Sequence, residues 1–175
     1  PAVFPTLESQ FDALRQAPSL RRLILLAWHL GLQIAVLIVQ EILQERGQAD
    51  SAPHICPQGQ TRLHRKGLVP RQVTTVLGII RWKRRVLRCP HQCAIRQIAP
   101  LDTALGLAPH QETSPELTEL ACALAVFVPF ETAAVLLKRL TGVGVSPITL
   151  WNWVQVAGKQ AMAQLERDLQ ALADR

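Results

Sequence analysis

The sequence predicts a mainly α-helical fold in which a small β module lies between N-terminal and C-terminal helices. Three observations support this fold class. Of the 175 residues, 49% are hydrophobic, which is enough to bury a core. Apolar residues recur at helical spacing towards both ends, whereas residues 72–89 (QVTTVLGIIRWKRRVLRC) alternate as a strand does. Prolines and glycines punctuate the boundaries between these segments.

Residues 1–50 are predicted to form the N-terminal helices. Residues 6–16 (TLESQFDALRQ) have the pattern of a short amphipathic helix that ends before Pro18. The apolar run Leu23–Leu43 approaches the length of a membrane span, but it contains polar residues and a glycine and has charged flanks. We therefore expect a buried core helix or a dimer or partner interface, and no membrane. The polar residues 45–53 (ERGQADSAP) are expected to form a linker.

Residues 54–100 are predicted to form a basic, zinc-ribbon-like β module of hairpins. The stretch TRLHRKGLVPRQ supplies a first strand, with a turn expected at Lys66-Gly67. Alternation in the following strand places its residues on two faces. One face holds Ile80, Trp82, Arg84, Val86 and Arg88, and the other holds Arg81, Lys83 and Arg85.

The charge of the chain is concentrated in this middle part. The interval from Ser51 to Leu101 has ten basic and no acidic residues, whereas the rest of the chain carries a net charge of −4. Such a lopsided block predicts a polyanionic partner, and we expect DNA. RNA is not excluded, because Trp82 on a basic strand could stack on bases. The candidate phosphate contacts are Arg62, Arg65, Lys66, Arg71, Arg81, Lys83, Arg84, Arg85 and Arg88.

Three of the four cysteines suggest a Zn²⁺ site. Cys89 and Cys93 form half of a metal-binding knuckle, and His54-Ile-Cys56-Pro-Gln-Gly59 has the outline of the other half, with a glycine in the place of a second cysteine. The fourth ligand of such a site would be His54, His91 or His64. The alternative is a ribbon held by its apolar strands, in which these cysteines are reduced thiols.

Residues 114–175 are predicted to form a helical domain. Ser114 with Pro115 and Glu116 is a helix-start signal, and a helix stopping near Pro129 follows, with Cys122 in its core. Further helices are expected over residues 131–140, after the cap Ser146-Pro147, and over residues 160–173.

The segment Phe130–Lys159 has the outline of a helix-turn-helix, whose second helix enters the major groove of DNA. Packing of these helices in an ordinary core is the alternative. The candidate base contacts are Ser146, Thr149 and Asn152, and the candidate phosphate contacts are Lys138 and Arg139.

The order of several short motifs is similar to that in a known family. The motifs are Cys56-Pro57, Lys66-Gly67, RxVxTxxG at 71–78, Cys89-Pro90 with Cys93, Pro100-Leu101-Asp102, LGL at 105–107, SPEL at 114–117 and LxRLTGVxVSPxT at 137–149. In this order they resemble the N-terminal region of bacterial insertion-sequence transposases of the ISKra group. The resemblance implies a zinc ribbon and a helix-turn-helix that recognise the DNA ends of the element. The sequence departs from the family at Gly59 and in the extra residue before Cys93.

In that family, a ribonuclease-H-like catalytic domain with three carboxylates follows this region. The present sequence offers scattered acids such as Asp102 and Glu131, so we expect no enzyme activity from it. We expect a non-catalytic DNA-binding protein or fragment of transposase origin, located in the bacterial cytoplasm at the nucleoid. The alternative is a protein–protein adaptor or oligomerisation module that uses Leu23–Leu43.

Overall fold

The computed structural model describes residues 3–49, 55–56, 58, 60–91 and 97–173. It is 61% helical and has a three-stranded antiparallel sheet in the order β1-β2-β3, which confirms a mainly α fold with a small β module. The elements are α1 (Val3–Arg15), α2 (Leu20–Gln48), β1 (His64–Thr75), β2 (Gly78–Arg88), β3 (Gln97–Ile98), α3 (Pro100–Ala104), α4 (Pro115–Phe127), α5 (Phe130–Thr141) and α6 (Pro147–Ala173). The chain divides into two compact units, residues 1–112 and 113–175.

The sheet is built on one long hairpin of β1 and β2. A two-residue turn at Val76 and Leu77 joins the strands, and the pairing runs from Thr75 opposite Gly78 to His64 opposite Arg88. The turn expected at Lys66-Gly67 is wrong, because β1 continues through these residues. A register shift lies there instead, and Gly67 has a φ of 112°, which a glycine adopts easily at a β-bulge.

The inner face of the hairpin carries the core of the N-terminal unit. Val73, Ile80 and Trp82 form a buried cluster with Leu43 of α2. The alternation predicted for β2 is therefore present in the structure at these positions. Trp82 is 4% exposed, so the idea that it stacks on bases is wrong, and the hypothesis of RNA binding loses the residue on which it was based.

Helix α2 is attached to β2 through the edge of the strand. The side-chain Oε1 of Gln40 accepts a hydrogen bond from the backbone N–H of Arg81, and that of Gln44 accepts one from Lys83, both at 2.8 Å. Gly47 lies against the backbone carbonyl of Lys83, where a larger residue would not fit. Helix α2 thus continues to Gln48, well into the segment expected to be a linker.

The face of α2 that points away from the sheet is largely exposed. By length and composition, α2 could cross a membrane: its most apolar 18-residue window has a mean hydropathy of 2.0, and 6% of that window is buried. The expectation that this helix is buried in the core of the chain is wrong for most of its length.

A short helix follows the sheet. Helix α3 begins at Pro100, where the missing N–H of proline costs nothing, and it ends at Ala104. Its Asp102 is 7% exposed. This helix therefore brings a carboxylate into the interior of the N-terminal unit.

The C-terminal unit consists of α4, α5 and α6. As predicted, Ser114 caps α4, and its Oγ accepts a hydrogen bond from the N–H of Leu117. Helix α5 ends at Gly142 in the left-handed conformation (φ 75°). The two helices expected after Ser146 are one 27-residue helix, because a single glycine, Gly158, costs a helix only about 1 kcal/mol. Leu117, Leu137 and Leu150 are fully buried and form the centre of this unit.

Candidate nucleic-acid interface

The outer face of the hairpin carries a row of basic side chains on β2. Arg81, Lys83 and Arg85 occupy alternate positions, so they project to the same side at intervals of about 6.8 Å. Their partners across the hairpin are uncharged: Gln72 pairs with Arg81, Pro70 with Lys83 and Leu68 with Arg85. The row therefore has no acidic neighbour in the paired strand.

The three residues of this row differ in their exposure and in the hydrogen bonds that their side chains form. Arg81 and Lys83 are exposed, and Arg81 donates from Nε to Oε1 of Gln72 at 2.8 Å. Arg85 is half-buried and donates from Nη2 to the backbone carbonyl of Gln48 at 3.1 Å. Within residues 3–173, as far as the structure describes them, neither Arg81 nor Lys83 forms an ion pair. Two positive charges thus face solvent without a counter-charge.

A shallow depression of about 360 Å³ lies beside these two residues. Its lining includes Arg81, Lys83, Gln72 and Pro70 from the hairpin and Gln44 from α2. Amide, guanidinium and ammonium groups are all hydrogen-bond donors, and this combination suits an anion such as a phosphate.

The open end of the hairpin extends the basic surface. Four exposed basic residues lie there: Arg62 just before β1, Arg65 and Lys66 at the start of β1, and Arg88 at the end of β2. Lys66 Nζ lies 3.3 Å from Oε1 of Gln97 on β3. These four residues and the outer row together form what we call the basic surface of the hairpin.

Two predicted phosphate contacts lie on the opposite, inner face. The Nε of Arg84 is 2.7 Å from Oδ2 of Asp102, and the Nε of Arg71 is 3.8 Å from the same oxygen. The side chains of Arg71 and Arg84 are 9% and 13% exposed. Arg71 also donates to the carbonyls of Ala108 and Gln111, and Arg84 donates to that of Val69. These two arginines serve the fold, and we do not include them in the basic surface.

Sequence reasoning missed the role of Asp102. It is the acid that pairs with both Arg71 and Arg84, although it follows the basic strand by more than ten residues. The available signal was its position: an acid in the first turn of a short helix that directly follows the basic block. The two glutamines of α2 that bind the edge of β2 were also missed. Their signal is the spacing of four residues, which places them on one helix face.

In the C-terminal unit, the start of α6 holds the predicted base contacts. The Oγ of Ser146 accepts a hydrogen bond from the N–H of Thr149 at 3.1 Å and lies 2.8 Å from the Thr149 hydroxyl, so both side chains are used in capping. Asn152 is exposed. Lys138 and Arg139 are exposed in the last turn of α5.

Sequence reasoning also missed two residues that share the face of Asn152. Gln155 and Lys159 follow it at helical spacing and are exposed as well. Both lie in the helix predicted after Ser146-Pro147, so its 3.6-residue period could have found them. The polar face of α6 therefore continues for two turns beyond Asn152.

The predicted zinc ligands are placed only in part. Cys56 and Cys89 are 0% and 3% exposed and belong to one buried cluster with Leu63 and Leu87. The backbone at Cys56 forms a tight turn, in which its N–H donates to the carbonyl of Thr61 and its carbonyl accepts from the N–H of Gln60. Two thiols in one cluster are the soft donors that zinc prefers.

The remaining ligand candidates do not complete a site in the part of the chain that the structure describes. His54 and Cys93 lie outside the described residues, and so does Gly59. His64 and His91 are exposed. Among the described residues, no three His, Cys, Asp or Glu side chains are grouped as a metal site would require.

Cys122 is apart from this cluster, on α4. It is half-buried, and the loss of hydration raises the pKa of its thiol above the usual value.

No family profile matches the chain, and no curated protein matches it.

Proposed function

We propose that this chain is a non-catalytic DNA-binding protein or fragment that contacts DNA through the basic surface of the hairpin and through the start of α6. The observation that carries the proposal is the row on β2, in which Arg81 and Lys83 are exposed and have no acidic partner among the described residues. The net charge of +6 and the acid-free interval from Ser51 to Leu101 also favour binding to a polyanion such as DNA.

The row on β2 is suited to phosphates rather than to bases. The basic side chains lie about 6.8 Å apart along the strand and project from its exposed face. Each can therefore contact a phosphate oxygen. Contacts of this kind bind all sequences similarly and weaken steeply with salt.

Helices α5 and α6 would act as a helix-turn-helix. In this proposal Asn152 and Gln155 of α6 approach base edges, and Lys138 and Arg139 of α5 bind the phosphates beside them. The resemblance of the motifs to ISKra-group transposases supports this assignment and suggests the ends of a mobile element as the DNA that is bound.

A structural zinc ion fits the same scheme. Cys56 and Cys89 would supply two thiolates, and Cys93 with one of His54, His91 or His64 would complete a Cys₃His site. The metal would join the turn at Cys56 to the end of β2 and so stabilise the open end of the hairpin. We expect about one zinc per purified chain, and its loss in Cys89→Ser. Zinc-free protein with unchanged stability would contradict this part of the proposal.

DNA binding is tested with a matched pair of double variants. Arg81→Gln with Lys83→Gln removes two charges from the basic surface, and Arg15→Gln with Arg167→Gln removes two exposed charges elsewhere. Affinity for a duplex would be titrated at several salt concentrations. We expect the first variant to bind more weakly and its salt dependence, the slope of log K against log salt, to fall by about 1.8, since each phosphate contact contributes about 0.9.

The control variant should keep the slope of the original chain, because its two arginines lie outside the basic surface. Equal slopes for the two variants would show that the hairpin makes no phosphate contacts. Absence of any salt-dependent binding by the unchanged chain would overturn the proposal as a whole.

A further inference from the structure

The outward face of α2 exposes more apolar surface than a soluble chain usually leaves uncovered. Large apolar side chains follow it over about 33 Å of helix. Nine of them are at least 36% exposed: Leu20, Leu23, Ile24, Leu25, Trp28, Ile34, Leu37, Ile38 and Ile42. Together they expose an area on the order of several hundred Å², comparable to or larger than the largest apolar patch of an ordinary monomer. An exposed apolar surface of this size is typical of an interaction site.

The residues along the middle of this face are arranged symmetrically about Gly31. We call this set the α2 stripe, and it consists of Leu20, Ile24, Ala27, Gly31, Ala35, Ile38 and Ile42. Its large residues lie at the two ends, its alanines lie four positions to either side of the glycine, and its isoleucines at 24 and 38 lie seven positions away. If the helix is reversed about Gly31, each member of the stripe falls on a residue of similar size.

The centre of the stripe allows two helices to approach closely. No atom outside α2's own backbone and its immediate neighbours lies within 4 Å of the place where a side chain on Gly31 would begin. Ala27 and Ala35 are one turn away on either side. Small residues one turn apart let the backbones of two helices come together and bring their flanking large side chains into contact.

The charges near the ends of α2 favour one direction of the partner helix. Reversal of the helix about Gly31 places Glu41 of the second copy level with Arg21 of the first. A parallel pair would instead place Arg21 level with Arg21 and Glu41 level with Glu41. Arg22 takes no part in this pairing, because it lies on the side of the helix opposite Gly31.

The opposite face of α2 argues against insertion of the helix into a membrane. Gln40 and Gln44 are hydrogen-bonded to the backbone of β2, and Gly47 lies against the carbonyl of Lys83. The C-terminal half of the helix is therefore part of the folded sheet. Transfer of α2 into lipid would break these bonds and leave backbone N–H groups of β2 unsatisfied.

We propose that α2 pairs with α2 of a second copy of this chain, antiparallel, with the two-fold axis beside Gly31. Such an interface is isologous, so Ile24 of each copy contacts Ile38 of the other and Leu20 contacts Ile42. The proposal does not depend on DNA binding. A dimer would nevertheless present two copies of the basic surface to one duplex.

The first test compares two lysine variants of the full chain by sedimentation over a range of concentrations. Gly31→Lys places two like charges at the two-fold axis, in a position that is open in the single chain. Gly158→Lys makes the same change at another helical glycine with open space around it, on α6. We expect the original chain and Gly158→Lys to be dimers and Gly31→Lys to dimerise about a hundredfold more weakly or not at all. Circular dichroism would show that both variants keep the helices.

The second test addresses direction. Copies with Leu20→Cys are mixed with copies with Ile42→Cys under air oxidation, and the cross-linked peptides are identified by mass spectrometry. The antiparallel pair predicts cross-links that join position 20 of one copy to position 42 of another. Cross-links that join position 20 to position 20 would overturn the antiparallel arrangement.

Three further results would overturn the proposal. One is an original chain that is monomeric at all concentrations, and another is a dimer that Gly31→Lys leaves unchanged. The third is sedimentation of the chain with vesicles of phosphatidylcholine and phosphatidylglycerol that Gly31→Lys prevents, which would identify lipid as the occupant of the stripe.

Discussion

The inner and outer faces of one hairpin use the same residue types for different purposes. On the inner face, Arg71 and Arg84 share the carboxylate of Asp102 and donate to backbone carbonyls, so both are held within the fold. On the outer face, Arg81 and Lys83 have uncharged cross-strand neighbours and are exposed. The basic pattern of the strand is uniform in the sequence. What separates the two faces is that α3 brings a carboxylate to the inner side.

The largest effect is expected on the inner face. Asp102→Asn removes the negative charge and leaves the guanidinium groups of Arg71 and Arg84 buried without it. Breaking a buried ion pair on one side costs about 3–5 kcal/mol of the free energy of unfolding, because the remaining charge is uncompensated. Urea denaturation followed by circular dichroism measures the change.

The matched control for this variant is Asp12→Asn. Asp12 pairs with Arg15 at 3.2 Å, but both side chains are more than 60% exposed. Removing that charge should cost less than about 1 kcal/mol, as exposed pairs do. Equal effects of the two substitutions would show that the inner arginines do not need Asp102.

An intermediate effect is expected where α2 meets the edge of the hairpin. Gly47→Ala introduces a methyl group against the carbonyl of Lys83, and the helix must move away from β2. Overpacking of this kind costs about 1–3 kcal/mol in the free energy of unfolding.

Gly158→Ala is the contrasting substitution at a helical glycine, on α6. Position 158 has open space around it, so the alanine should stabilise the chain by about 0.5–1 kcal/mol through its higher helix propensity. Thermal unfolding of both variants gives the comparison. A Gly47→Ala variant as stable as Gly158→Ala would contradict the contact between α2 and β2.

The smallest effect on stability is expected on the outer face. Arg81→Gln with Lys83→Gln should change the free energy of unfolding by less than about 0.5 kcal/mol, because exposed side chains away from buried networks contribute little. The same variant is expected to lose affinity for DNA. If it unfolded as readily as Asp102→Asn, the outer row would be structural, and the distinction between the two faces would fail.

Local patterns in the sequence predict several elements well. The Ser114-Pro115-Glu116 start of α4 and the Ser146 cap of α6 are present, because capping depends on neighbours two or three residues away. The alternation of β2 likewise predicts which residues face the core, as Ile80 and Trp82 show. These features depend on short-range chemistry that the sequence displays directly.

Features that depend on distant contacts are not visible in the same way. The turn was expected at Lys66-Gly67, but pairing of the whole hairpin places it at residues 76–77 and leaves Gly67 at a bulge. Likewise, only the alternation of faces along β2 distinguishes Arg84 from Lys83 in the sequence. The residue that pairs with Arg84 is Asp102, which lies 18 residues further along the chain. The candidate site was therefore predicted as a block of charge, and the structure divides that block in two.

The two glutamines of α2 also determine how this sheet can meet other molecules. The N–H groups of Arg81 and Lys83 lie on the edge of β2 that β1 does not cover. They donate hydrogen bonds to the side chains of Gln40 and Gln44 at positions where a further strand could otherwise pair. An uncovered strand edge is a template for the growth of intermolecular sheets and for aggregation. With Gln40 and Gln44 in place, a strand from another chain would have to displace α2 before it could pair there. Two amide side chains thus block intermolecular strand pairing at this part of the edge of β2.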